Sequence, residues 1–190
     1  MINIAIFASG NGSNAEAIVQ YFTGNKQVNV KCVLSNRQSA TVHQRMATLG
    51  IPSHTFSKEE WNEAHKIVDF LCKEEIDFIV LAGFLAKIEK PIISAFNGRI
   101  VNIHPSLLPL YGGKGMWGHH IHEAVIAAGE KQSGITIHYL DENIDGGEIL
   151  FQATCDVLPE DTPETLANRI HTLEHQHYPK VIENIIISKE

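Results

Sequence analysis

The sequence predicts an α/β fold built on a doubly wound, mostly parallel sheet. Three observations predict it: short Ile- and Val-rich runs with little polar alternation, stretches of helical spacing between them, and a change of pattern after residue 104. Strands that are apolar almost throughout are covered on both faces, as parallel strands are when helices cross over them.

In chain order, residues 3–8, 28–34, 78–82 and 100–103 read as strands, and 13–23, 39–49 and 58–74 as helices. The last helix carries Trp61, Ala64, Ile67, Val68 and Leu71 at three- and four-residue steps, a stripe that faces a core rather than a ligand. Beyond 104 come a glycine-rich loop at 112–118, a helix at 119–128 and two strands, 135–140 and 149–157. Asp145-Gly146-Gly147 between those strands predicts a β-hairpin. Thr162-Pro163-Glu164 starts a long terminal helix, with Thr162 as N-cap, Pro163 in the first helical position and Leu166, Ile170 and Leu173 on the buried face. Pro179 predicts a bend in that helix. With no internal repeat, low-complexity tract or linker, the chain 1–190 reads as a single Rossmann-like domain ending in a hairpin and a long helix.

Of the 190 residues, 44% are apolar and 19% charged, the balance of a soluble globular protein. No apolar run approaches the roughly 20 residues a membrane helix needs, and the N-terminus reads as a first strand rather than an export leader. Twenty-two acidic against 15 basic residues give a formal charge of −7, which argues against a broad nucleic-acid surface. Cys32, Cys72 and Cys155 lie far apart with no Cys-x-x-Cys spacing, so buried free thiols in a reducing cytoplasm are expected.

Three constellations carry chemistry. Gly10-Asn11-Gly12-Ser13-Asn14 follows a strand and opens a helix, where N–H groups and the helix dipole favour an anion. A phosphate monoester site and a tight turn with a capping serine both fit it. The run also satisfies the loose dinucleotide fingerprint, but Leu34-Ser35-Asn36-Arg37 stands where NAD binding needs an acidic ribose ligand, leaving only an NADP reading through Arg37.

The second constellation is Asn102-Ile103-His104-Pro105-Ser106, at the end of a strand whose alternation sends Asn102 and His104 to one side. An amide donor can bind a carbonyl oxygen gaining charge, and an imidazole can move a proton near neutral pH. The alternative is that both residues merely brace the following loop. The third is the turn at Asp145. A hairpin bringing its carboxylate to His104 would orient the ring and favour its charged form. The His119-His120-Ile121-His122 run and His171, His175 and His177 offer no Cys pair or His-Glu-x-x-His motif, so no metal site is expected.

Together with Leu81-Ala82-Gly83-Phe84, Pro105-Ser106-Leu107-Leu108-Pro109 and Ile144-Asp145-Gly146-Gly147, these motifs resemble the folate-dependent formyltransferases. Within them, the Gly-Asn-Gly-Ser-Asn loop and a chain without room for further domains resemble the phosphoribosylglycinamide formyltransferase family. That resemblance implies formyl transfer from 10-formyltetrahydrofolate to phosphoribosylglycinamide, without a metal, by a monomer or homodimer. It implies a catalytic trio of Asn102, His104 and Asp145, and a ribose-phosphate site at Gly12, Ser13 and Asn14. His171 and Glu174 would contact the same substrate. Leu85, Ala86, Lys87, Ile88, Leu140, Asp141 and Ile144, with Asn102 and Asp145, would line the folate pocket. Residues 1–100 then form a phosphate-binding half, and 101–190 a catalytic and folate-binding half.

Overall fold

A computed structural model describes residues 1–113, 115–142 and 145–187. Among them, seven strands form one mostly parallel sheet, and the chain divides into two compact units, Met1–Val101 with the end of the terminal helix, and Asn102–Asn184. The first unit holds β1 (Ile2–Phe7), α1 (Ser13–Phe22), β2 (Val28–Ser35), α2 (Val42–Leu49), β3 (Ser53–Thr55), α3 (Lys58–Asn62), α4 (Ala64–Lys73), β4 (Phe78–Leu81), α5 (Lys90–Ala95) and the start of β5 (Ile100–His104). The second continues β5 and adds α6 (His119–Ala127), β6 (Gln132–Tyr139), β7 (Ile149–Asp156) and most of α7 (Pro163–Ile187). The strand order is β3-β2-β1-β4-β5-β6-β7.

In the first unit β1 pairs in parallel with both β2 and β4, and β2 with β3. Ile4, Ala5, Ile6 and Phe7 are fully buried, which is why β1 is apolar without alternation. The helical stretch at 58–74 divides at Glu63, whose ψ of 59° leaves the helical region. Ser57 starts α3 with a capping box closed by Glu60, and Trp61, Ala64, Ile67 and Leu71 keep the buried stripe across the break. Two elements exceed the expectation: β3 is three residues long and polar, and α5 is six residues long, both too short for periodicity to reveal.

In the second unit β6 and β7 form the expected antiparallel hairpin, Gln132 opposite Asp156 through His138 opposite Ile149, with a register shift between Ile137 and His138. Tyr139 N–H donates to the Glu148 carbonyl at 2.9 Å, and a Cβ at Gly147 would overlap the Tyr139 carbonyl, so only glycine fits there. α7 runs on through Pro179. Its start is capped reciprocally, Thr165 N–H to Thr162 Oγ1 at 3.2 Å and Thr162 N–H to Thr165 Oγ1 at 2.9 Å.

Cys32 is buried and its thiol is pushed up to about 12 by desolvation, and Cys155 is half-buried. Cys72 is exposed, contrary to the expectation of three buried thiols, because it lies on the solvent side of the α4 stripe. Among the described residues no helix is long and apolar enough to cross a membrane.

Asp161 ties the start of α7 to the loop before it. Its carboxylate accepts both Arg169 guanidinium donors at 2.7 and 3.0 Å, Thr165 Oγ1 at 2.7 Å and Leu158 N–H at 2.8 Å. These bonds, the Arg169 pair foremost, hold its carboxyl well below the usual carboxylate range. A depressed folded-state pKa stabilises above the unfolded value and is lost as pH falls through the folded one. Asp161→Asn is therefore expected to lower the melting temperature at pH 7. The deficit should shrink as the pH drops below about 4, in thermal melts followed by circular dichroism.

Candidate active site

β5 delivers Asn102 and His104 two residues apart, hence to one side of the strand. His104 is buried, and its two ring nitrogens have different partners. Nε2 lies 2.8 Å from the Tyr111 carbonyl, which can only accept, so Nε2 carries a proton. Nδ1 lies 3.7 Å from Asp145 Oδ1, close enough for charge attraction and too far for a direct hydrogen bond. Asp145 Oδ2 accepts Gly113 N–H at 2.9 Å. Tyr111 and Asp145 both hold φ of 55°, a left-handed conformation that costs a non-glycine residue about 1–2 kcal/mol. Hydrogen bonds from both residues to this one cluster offset that cost.

The loop that carries Tyr111 is pinned from the neighbouring hairpin. Thr136, fully buried in β6, donates its hydroxyl to the Ser106 carbonyl at 2.6 Å. It accepts Leu108 N–H at 2.9 Å and Gln152 Nε2 at 2.9 Å, which exhausts the hydroxyl's capacity. Gln152 Nε2 also reaches the Leu108 carbonyl at 3.1 Å, and Ser106 Oγ donates to the Leu110 carbonyl at 2.8 Å. The Tyr111 phenol donates to Glu130 at 2.8 Å, and burial and that bond raise its pKa.

Asn102 Nδ2 lies 3.1 Å from Nε2 of His138, a fully buried histidine on β6. Sequence reasoning missed His138, Thr136 and Gln152. A signal existed for the first: a histidine inside Ile135-Thr136-Ile137-His138-Tyr139, a strand buried on both faces, must find partners.

The glycine-rich loop belongs to the first unit. Gly12 caps α1 at φ 78°, and a Cβ there would collide with Val42, so the tight entry to the helix requires glycine. The loop is fixed by Val42 N–H to the Gly10 carbonyl at 3.1 Å and by Arg45 Nε to the Asn11 carbonyl at 2.9 Å. Arg45 is held in turn by Glu16. Ser13 is half-buried and Asn14 buried in the first turn. Just before the loop, Ser9 Oγ donates to Asn36 at 2.7 Å and accepts Leu85 N–H at 2.8 Å. Phe84 packs on Trp61 and Phe7, with ring centroids at 4.9 and 5.5 Å. Leu85 and Lys87 are exposed, Ala86 half-buried and Ile88 buried.

In the second unit Leu140 and Asp141 are half-buried at the end of β6, and Ile144 lies outside the described residues. Glu174 is buried and takes His171 Nδ1 at 2.8 Å, a bond that raises the imidazole pKa against the opposing effect of burial. His119 and His120 pair with Glu123 on the exposed side of α6, whereas burial pushes His122 down to about 4.

A half-buried amide, an imidazole with one nitrogen committed and a carboxylate beside the other is an arrangement for carbonyl addition. Comparison with known proteins decides the family. The formyl transferase family model matches residues 2–182. The chain belongs to the formyl transferase family. It is 42% identical over 185 residues to the chloroplastic phosphoribosylglycinamide formyltransferase of Vigna unguiculata, covering 95% of this chain and 59% of that protein. It therefore spans about three fifths of that plant relative's length. The phosphoribosylglycinamide formyltransferase of Bacillus subtilis is 38% identical over 191 residues, covering 98% of this chain and 95% of that one. The crystal structure of phosphoribosylglycinamide formyltransferase from Bacillus halodurans superposes with a TM-score of 0.89 at 38% identity, covering 99% and 97% of the two chains.

Thr136→Val keeps the shape of the side chain and removes its hydroxyl, leaving the buried Leu108 N–H without its acceptor. Such a loss costs about 1–3 kcal/mol, measurable by urea denaturation. The same change is expected to broaden the His104 ring signals in NMR spectra, because the Tyr111 carbonyl loses its support.

Proposed function

We propose that the chain transfers the formyl group of 10-formyltetrahydrofolate to the amine of N1-(5-phospho-D-ribosyl)glycinamide, giving the N-formyl product and tetrahydrofolate in de novo purine biosynthesis. The observation that carries this reading is the cluster of Asn102, His104 and Asp145, in a member of the formyl transferase family whose relatives bear that enzyme's name. In this reading residues 1–190 act as one formyltransferase domain working in the cytoplasm as a monomer or homodimer. Residues 1–100 supply the phosphate site and 101–190 the catalytic groups.

The amine attacks the formyl carbon. A C–N bond forms as the carbonyl π pair moves onto oxygen. An Asn102 N–H and the Nδ1–H of protonated His104 stabilise that oxyanion, a choice of nitrogen supported by the bond that commits Nε2 to Tyr111. Asp145, whose Oδ1 lies 3.7 Å from Nδ1, holds a water that carries the amine's proton toward the folate nitrogen. The bond from the formyl carbon to that nitrogen then breaks as the carbonyl reforms. No metal takes part in this scheme. Gly12, Ser13 and Asn14 hold the ribose phosphate at the head of α1, and His171 and Glu174 hold the remainder of that substrate. Leu85 to Ile88, with Leu140, Asp141 and Ile144, line the pterin pocket. Much of the rate comes from orienting two bound substrates.

The deciding assay follows tetrahydrofolate release from the purified protein with each substrate omitted in turn. Turnover that requires both is expected; turnover without the amine would make the chain a hydrolase. Asn102→Ala is expected to lower kcat by about 100- to 1,000-fold, and Asp145→Ala to lower it severely, both in folded protein. Ser13→Ala is expected to raise KM for phosphoribosylglycinamide with kcat retained. Normal kcat in folded Asp145→Ala would remove that residue from the scheme.

A further inference from the structure

We propose that His138 is a positioning residue for Asn102, fixing the orientation in which the Asn102 amide meets the formyl oxygen. The inference rests on the function proposed above. Its warrant is the hydrogen-bond logic of one buried ring. His138 Nδ1 lies 2.9 Å from the Tyr139 carbonyl. A carbonyl only accepts, so Nδ1 bears the proton, and in the neutral ring Nε2 is left with a lone pair. The group 3.1 Å from that lone pair is Asn102 Nδ2, which must therefore be the amide's nitrogen end pointing at it. One N–H of Asn102 is spent on His138, the amide plane is fixed, and the second N–H is left to donate to an oxyanion. An asparagine without such a partner can rotate or flip, exchanging donor for acceptor at the place where charge develops.

Four further observations support the assignment. The side chain of His138 has no solvent exposure, so an unpaired nitrogen there would be costly. The register shift of β6 falls between Ile137 and His138, and such irregularities re-aim side chains. Burial lowers the pKa of the ring and keeps it neutral. His104 acts in the same direction, while the Tyr139 carbonyl and the carboxylates of Asp145 and Asp141 oppose it. Asp145 Oδ1, 3.9 Å from Nε2, is too distant for a hydrogen bond, so it does not compete with Asn102 for that nitrogen.

The test is a double-mutant cycle with two substitutions at His138. His138→Leu fills similar space without an acceptor, whereas His138→Gln returns an amide oxygen near the place of Nε2. His138→Leu is expected to lower kcat by about 10- to 100-fold, the range for partners that orient a functional group, with KM for both substrates little changed. His138→Gln should recover most of that loss. In an Asn102→Ala background His138→Leu should have no further effect, because there is nothing left to orient. Losses that multiply in the double variant, or a Gln variant as poor as the Leu variant at equal thermal stability, would overturn the proposal. Should the variants fail to fold, ¹⁵N-histidine NMR of the wild-type protein decides it. A neutral ring protonated on Nδ1 at pH 7 is required, and an Nε2–H tautomer or an imidazolium would overturn it. If the wild-type protein fails to turn over both substrates, the functional reading fails instead, while the NMR result still judges the ring.

Discussion

The hydroxyl of Thr136 is shut away from water, and the geometry at the end of β5 depends on it. β5 ends at His104, and the chain must then turn back so that Tyr111, seven residues on, presents its carbonyl to the His104 ring. Within the run, Leu110 N–H donates to the Leu107 carbonyl at 3.1 Å and Ser106 Oγ to the Leu110 carbonyl at 2.8 Å, and the remaining support comes from the hairpin. Thr136 gives one hydrogen bond to the run and takes one from it, and Gln152, which Thr136 also accepts, adds another. Because the Thr136 hydroxyl and its bonds to Ser106 and Leu108 are buried, either of those bonds lost would leave a polar atom with no water to replace it. The hairpin thus braces the loop as well as leading to Asp145, so both neighbours of His104 depend on it.

A second consistency follows from the two histidines. Each has one nitrogen bonded to a backbone carbonyl, His104 through Nε2 to Tyr111 and His138 through Nδ1 to Tyr139. A carbonyl cannot ionise or exchange donor for acceptor, so it fixes a tautomer more firmly than a hydroxyl or a water does. The two rings are fixed in opposite senses. As a result Nδ1 of one and Nε2 of the other both face the region of Asp145, at 3.7 and 3.9 Å. One carboxylate oxygen thus lies beside an imidazole able to carry charge in the reaction and another that burial keeps neutral.

Those details divide what the sequence discloses from what it does not. β1 and β4 were legible because a strand buried on both faces needs apolar residues nearly throughout, β2 and β5 because they are rich in Val and Ile, and the hairpin because Asp-Gly-Gly marks a turn. Asn102 and His104 were legible because the two-residue period of a strand puts them on one side. The three-residue β3 and the six-residue α5 were not, since both are shorter than the roughly four and ten residues over which a strand or a helix pattern declares itself. The break at Glu63 was hidden because the apolar stripe of Trp61, Ala64, Ile67 and Leu71 continues across it. Thr136 and Gln152 stayed hidden for another reason. Their role is a set of bonds to a loop 28 to 44 residues away, and no local pattern encodes a partner at that distance. His138 lies between these cases: its residue type in an apolar strand signalled a buried bond, while the identity of the partner needed the pairing of β5 with β6.

The acidic balance of the chain bears on how it would hold a phosphate. A formal charge of −7 opposes an anion only through charges that lie near it, since screening at physiological salt reaches about 8 Å. At the head of α1 the nearest acidic side chain in the helix is Glu16, and it is occupied by Arg45, whose guanidinium is bonded to the Asn11 carbonyl. That pairing neutralises the one carboxylate of the first turn while bracing the loop. The helix end therefore keeps its positive dipole. Gly12, where a Cβ would collide with Val42, lets the loop turn tightly into the helix, whose first-turn N–H groups lie at its head. An acidic protein can thus present an anion site made of peptide groups rather than lysines, and such a site selects by shape, since peptide dipoles are short-ranged and act only on an anion that fits against them.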